Sequence, residues 1–171
     1  MSAESAFAPV PEWLGQTVLM VEAPSLSDMT GAQRAGDACI WCQGAHDLEP
    51  LDPAPGLGCR ACETCWTKRS AKVAAYLDWA VHVESCSACA VRRCADSLPI
   101  AEAYTEAHDH AVGTDEVTCL RCRQAVPLAE PLVMPYRWSG PVSNAPYYSF
   151  LHASDVCPAM WRRGEVTLRA L

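Results

Sequence analysis

The sequence predicts a small α+β fold, irregular in outline, with a helical half followed by a β half. Three observations point to it. Half of the 171 residues are hydrophobic, but eleven of these are cysteines and only two are Phe, so the aliphatic core is modest and something else must help hold the chain together. Two stretches, 63–85 and 98–111, carry apolar residues at helical intervals. From residue 117 onward, β-branched and aromatic residues alternate with turn-forming ones.

Residues 1–38 read as an acidic N-terminal arm, with five acids against one base. Pro9, Pro11 and Pro24 punctuate it, and "QTVLMV" (Gln16 to Val21) has strand character. Trp13, Leu14 and Val18 to Val21 are too apolar to be left in water, so the arm is expected to pack on the body or on a partner. Ser27 or Thr30 can N-cap one short helix that Gly36 ends. Residues 39–113 form a helical module. Its segment between Cys42 and Cys59 is broken by Pro and Gly and suits a hairpin or loop. "ETCWTKRSAKVAAYLDWAVHVES" (Glu63 to Ser85) then places Trp66, Val73, Leu77, Ala80 and Val81 at helical spacing. In the second helix Pro99 opens and Gly113 closes. Residues 114–171 form a β module built from "VTCLRC", "EPLVMPYRW" and "YYSFLHA".

The cysteines cluster, and four of the clusters have C-x-x-C spacing. No basic leader precedes a long apolar run at the N-terminus, and no stretch approaches the length of a membrane span. The expectation is a cytoplasmic protein with reduced thiols, where paired cysteines mean metal more often than disulfides. A zinc ion takes four N or S donors in a tetrahedron, and C-x-x-C supplies two from one tight turn. Cys39, Cys42, Cys59 and Cys62 make one complete set. Two knuckles with the second opening a helix resemble a treble-clef finger. By spacing alone Cys62 and Cys65 would serve as well, and Gly58 ahead of Cys59 favours the earlier pair. His82, Cys86 and Cys89, at offsets 0, 4 and 7, fall on one helical face, and Cys94 is near enough to turn back as the fourth donor. Cys119 and Cys122, with His152 and Cys157 returning after a hairpin, resemble a zinc ribbon. Three zinc sites therefore use ten cysteines and two histidines and leave Cys65 spare. His46, His108 and His110 have no cysteine at ligand spacing, and "HDH" at 108–110 reads as the solvated end of a helix.

"YLDWAVHVESCSACA" (Tyr76 to Ala90) resembles the zinc-binding anti-sigma factors, whose helix carries H-x-x-x-C-x-x-C. The resemblance implies that His82, Cys86 and Cys89 are ligands, that the fourth lies upstream at Cys59, Cys62 or Cys65, and that the partner is a transcription component. The wider layout, "GDACIWC" to "GCRAC" to "HVESCSAC", looks like small zinc proteins of actinobacteria and their phages. That likeness implies a metal and a compartment, and no activity.

The formal charge of −7 disfavours non-specific contact with phosphate backbones. Zinc thiolates deepen it, since a four-cysteine site adds −2 and a site of three cysteines and one histidine adds −1. The first function class is thus a non-enzymatic module that binds a protein through the arm or a helix face. The second is nucleic-acid binding by the C-terminal third, where Arg121, Arg123, Arg137, Arg162 and Arg163 gather with Trp138. The third is a zinc-thiol redox switch. No H-E-x-x-H or deaminase signature appears, and nothing in the sequence places a nucleophile beside a base, so no enzymatic activity is expected.

Overall fold

A computed structural model describes residues 10–51, 58–89, 92–139, 146–152 and 157, with the backbone alone at 138, 139, 146 and 147. Arg162 and Arg163 lie outside the described residues, and so does the side chain of Trp138. The fold is small and α+β: helices with short antiparallel strand pairs. It divides into two compact units, 1–74 and 75–171, with the boundary inside the longest helix.

In the first unit, α1 (Glu12–Glu22) and α2 (Gly31–Ala35) precede the hairpin of β1 (Leu48–Pro50) and β2 (Arg60–Cys62). The expected strand at 16–21 is instead part of α1. A strand there would have put apolar side chains on both faces without alternation. A helix buries Leu14 and Val18, four apart, and turns Trp13 and Met20 outward. Thr30 caps α2 in a reciprocal capping box with Gln33, and Gly36 ends the helix at φ 78°. The interior gathers Leu14, Val18, Met29, Ile40, Ala61 and Trp66. Glu22 binds both Arg69 (2.6 Å) and Lys72 (2.8 Å) in a largely buried triad, and its carbonyl accepts the Trp41 indole N–H at 2.8 Å. Burial lowers the Lys72 pKa, and the Glu22 carboxylate opposes that fall.

The long helix α3 (Glu63–Ser85) follows β2 without a linker and covers the stretch expected from its periodicity. In the second unit, α4 (Leu98–Val112) starts with Pro99 in its first turn and stops at Gly113, φ 80°. Two hairpins complete it: β3 (Glu116–Thr118) with β4 (Ala125–Pro127), and β5 (Val133–Ser139) with β6 (Pro146–His152). The core is aromatic. Trp79, Tyr76, Tyr104 and Phe150 stack at centroid distances of 5.4–6.0 Å. The Tyr76 hydroxyl receives the Tyr136 and Ser149 amides, each at 3.1 Å, across the β5–β6 pair, and their carbonyls lie at 3.0 and 2.8 Å. His108 departs from the solvated reading. Its ring is buried, with Nδ1 3.0 Å from the Tyr104 hydroxyl and Nε2 3.2 Å from the Glu116 carbonyl, so it fastens α4 to β3. Asp109 and His110 beside it are exposed. Among the described residues no helix is long and apolar enough to cross a membrane.

Candidate metal centres

The structure brings twelve side chains together in three groups of four. They are Cys39, Cys42, Cys62 and Cys65; His82, Cys86, Cys89 and Cys94; and Cys119, Cys122, His152 and Cys157. Within each group the donor atoms all lie within 4.8 Å of one another.

In the first group Cys39 and Cys42 flank a tight knuckle. The Cys39 amide donates to the Gly44 carbonyl at 2.8 Å, and the Gln43 amide to the Cys39 carbonyl at 3.0 Å. Gln43 takes the left-handed conformation, φ 63°. The buried Gln33 side chain braces the turn by donating to the Ile40 carbonyl at 2.8 Å. The other two donors come from the end of β2 and the first turn of α3.

That pair is Cys62/Cys65, and Cys59 is outside the group, which corrects the preference for Cys59/Cys62. The reason is strand geometry. Leu48 pairs with Cys62, and the Leu51 amide donates to the Cys59 carbonyl, so residues 59 to 62 run extended. Side chains three apart on a strand point to opposite faces. Cys62 and Cys65 instead span the strand-to-helix turn. The usable signal was the helix beginning immediately after Cys62, and the glycine ahead of Cys59 was the weaker guide.

The second group forms where α3 stops. The offsets 0, 4 and 7 do not lie on one continuous helix, because α3 ends at Ser85. The Ser85 hydroxyl turns back onto the Val81 and His82 carbonyls and competes with the ladder. The chain tightens into a 3-10 turn at Ser87–Cys89, and Cys94 returns just ahead of another at Ala95–Ser97. The donor is thus Cys94, downstream, where the anti-sigma resemblance implied an upstream cysteine. Arg93 fixes this return. It donates to the Leu128 carbonyl at 2.6 Å and the Val133 carbonyl at 3.1 Å, and its guanidinium lies 4.7 Å from the Trp79 ring centre. Nothing in its sequence context singled Arg93 out.

The third group repeats the first knuckle almost bond for bond. The Cys119 amide donates to the Gln124 carbonyl at 3.0 Å, the Arg123 amide donates to the Cys119 carbonyl at 2.8 Å, and Arg123 has φ 63°. Each knuckle also lies parallel to a neighbouring strand, Cys39 beside Arg60 and Cys119 beside Phe150. His152 closes β6, and Cys157 is fully buried.

The donor sets fit a tetrahedral ion. Bonds of about 2.3 Å to sulfur and 2.0–2.1 Å to nitrogen at tetrahedral angles require S···S of about 3.8 Å and S···N of about 3.6 Å. The observed separations are 3.8 Å for Cys42–Cys62 and for Cys86–Cys94, 4.0 Å for Cys119–Cys157, and 3.5 Å from Cys122 Sγ to His152 Nδ1. His82 Nε2 is closer, 3.2 Å from Cys94 Sγ. None approaches a disulfide length, and all eleven cysteines are free.

The electrostatics favour thiolate at one cysteine of each group. The His82 ring holds Cys94 down at about 6. Burial works to raise Cys119 and Cys39, yet the backbone amides around each outweigh it and hold them at about 6 and about 7. Burial pushes Cys62, Cys65, Cys89 and Cys122 up. Several thiolates cannot share so small a volume unaided, and a divalent cation is what relieves their repulsion.

Of the basic residues singled out earlier, three have described side chains: Arg121, Arg123 and Arg137. Arg137 is committed to Glu84, Nε to Oε1 at 2.7 Å with a second contact to Oε2. Arg121 is half-buried on the third knuckle, and Arg123 is exposed there. Comparisons with protein-family models, with curated proteins and with solved structures gave no match.

Proposed function

We propose that this chain is a non-enzymatic, cytoplasmic protein-interaction module whose two units are each held together by structural zinc. One observation carries the reading: each group offers four side-chain donors, all sulfur or imidazole nitrogen. A zinc that acts on a substrate keeps an open position filled by water, whereas a structural zinc is closed by four protein ligands. One set of four cysteines and two sets of three cysteines with one histidine, all without carboxylates, suit zinc better than the hard cations. Each ion would contribute folding free energy on the order of 10 kcal/mol, which compensates for the modest apolar core. The net charge of −7 supports a protein partner over nucleic acid. The likeness of Tyr76 to Ala90 to the anti-sigma helix supports a transcription component as that partner.

Native mass spectrometry of the protein purified from its own host without chelator tests this. Three zinc ions and a co-purifying polypeptide are expected. Fewer than three ions would overturn the closed-site reading, and bound nucleic acid without a protein would overturn the choice of partner.

A further inference from the structure

The first unit carries an apolar groove that the metal sites do not use. It encloses about 510 Å³ and is lined by Leu19 and Met20 of α1, by Leu26 and Met29, and by Leu51 and Cys59 at the end of the hairpin. Met20 and Leu26 stand about half exposed at its lip, an arrangement that leaves apolar area in water.

The lip is acidic. Glu12 lies one turn before Gln16 on the same face of α1 and accepts its side-chain N–H at 3.2 Å. Asp28 sits between Leu26 and Met29 and accepts from the Ser25 hydroxyl at 2.7 Å. Glu49 shares a hairpin face with Leu51 and Cys59, because Glu49 pairs with Ala61 and the Leu51 amide reaches the Cys59 carbonyl. Arg34, which donates to the Leu26 carbonyl at 3.2 Å, is the basic residue beside them. Glu22 forms a separate cluster with Arg69 and Lys72, two cations on one carboxylate. Among the described residues, three carboxylates and one guanidinium thus neighbour the residues that line the apolar groove, by hydrogen bond, sequence or hairpin face.

We propose that this groove docks a basic amphipathic helix of a protein partner. The proposal rests on the interaction-module reading and names the surface and the chemistry of what it binds. Helix-in-groove recognition places anchors at i, i+3 or i+4, and i+7, a span of about 10 Å at 1.5 Å per residue. The eleven-residue α1 provides a wall of that length. Met20 and Met29 supply unbranched, polarisable side chains that adapt to different anchors. Lysines or arginines flanking the anchors would meet Glu12, Asp28 and Glu49, and that complementarity steers association and rejects acidic segments. Nucleic acid and anionic bilayers carry the wrong charge.

Cys59 provides the readout. It is the cysteine outside the three four-donor groups and it faces the groove, so in the zinc-loaded full chain its alkylation by iodoacetamide reports occupancy. The probe is a 14-residue helix-forming peptide of Leu and Lys, with Leu at the anchor positions, set against its Leu/Glu counterpart and against phosphatidylcholine vesicles. The Leu/Lys peptide is expected to slow alkylation at least tenfold, less so in high salt. Neither the Leu/Glu peptide nor the vesicles should do so. Met20→Glu, at an exposed position, should abolish the protection while zinc content stays at that of the parent. No protection, equal protection by both peptides, or protection by vesicles alone would overturn the proposal. Purifying the Met20→Glu chain from the host separates this failure from failure of the module reading. A partner retained by that variant refutes the groove alone, whereas no protein partner on the parent chain refutes the module.

Discussion

Cys65→Ser is the sharpest probe of the first centre. The substitution removes one of four sulfurs from a set in which Cys39 is fully buried and Cys42 and Cys62 stand 3.8 Å apart. If a structural zinc contributes about 10–16 kcal/mol, one donor in four is worth about 3 kcal/mol, or about two orders of magnitude in affinity. Cys59 cannot replace it, because turning Cys59 toward the ion would shift β2 by one residue and send Ala61, fully buried, to the other face. The assay is a titration with a chromophoric chelator, read against the metal count of the intact chain. Cys65→Ser should surrender one ion at a chelator concentration about 100-fold below that needed by the parent, while Cys59→Ser should keep every ion at parental affinity. Metal loss in Cys59→Ser with retention in Cys65→Ser would refute the strand-face reasoning.

Other substitutions test the scaffold, each by urea denaturation of the zinc-loaded chain. Gly36→Ala should cost at least about 3 kcal/mol, since a left-handed alanine is strained by about 1–2 kcal/mol and its Cβ would meet the Gly58 carbonyl oxygen at 2.1 Å. An unchanged midpoint would mean that the approach of Gly36 to Gly58 is not kept in solution. Gln43→Gly and Arg123→Gly should each stabilise by about 0.5 kcal/mol, because relief at φ 63° slightly exceeds the entropy that glycine loses on folding. Destabilisation by both would show that the side chains matter more than the backbone. Tyr76→Phe should cost about 1–2 kcal/mol, as its hydroxyl bonds both β5 and β6. A neutral result would leave those strands held by their own ladder.

How much of this was legible depended on the range of the interaction. The body of α3 and both ends of α4 were written locally, in residue spacing, Pro99 and Gly113, whereas the break after Ser85 that precedes Cys86 and Cys89 was not. The second and third donor groups were likewise readable from spacing, because each needs only that the chain return once. The exchange of Cys59 for Cys65 was not, since it turns on which face of β2 meets the knuckle, and that is fixed by pairing with β1 across the intervening loop. The same holds for α1, where two valines in "QTVLMV" suggested a strand until Leu14 and Val18 found a shared interior. His108 was misjudged because its partners, Tyr104 and Glu116, lie on different elements. Arg93 gave no local signal, its acceptors being carbonyls 35 and 40 residues away.

The two matching knuckles explain why this chain can do with so little aliphatic core. Each packs its first cysteine fully inside, Cys39 in one unit and Cys119 in the other, and each sets a left-handed residue directly after its second. That turn aims backbone amides inward and lowers the buried thiols, so the metal-binding form is favoured before any ion arrives. The central group also has one lowered thiol, Cys94 beside the His82 ring, but it lacks such a knuckle, and its geometry depends on the 3-10 turns after α3 and on the grip of Arg93. Its conformation is therefore less prepared in advance. With four donors of comparable type in each group, the difference in preorganisation should make the central group the first to lose its ion to a chelator, and His82→Ala should widen that gap without disturbing the other two.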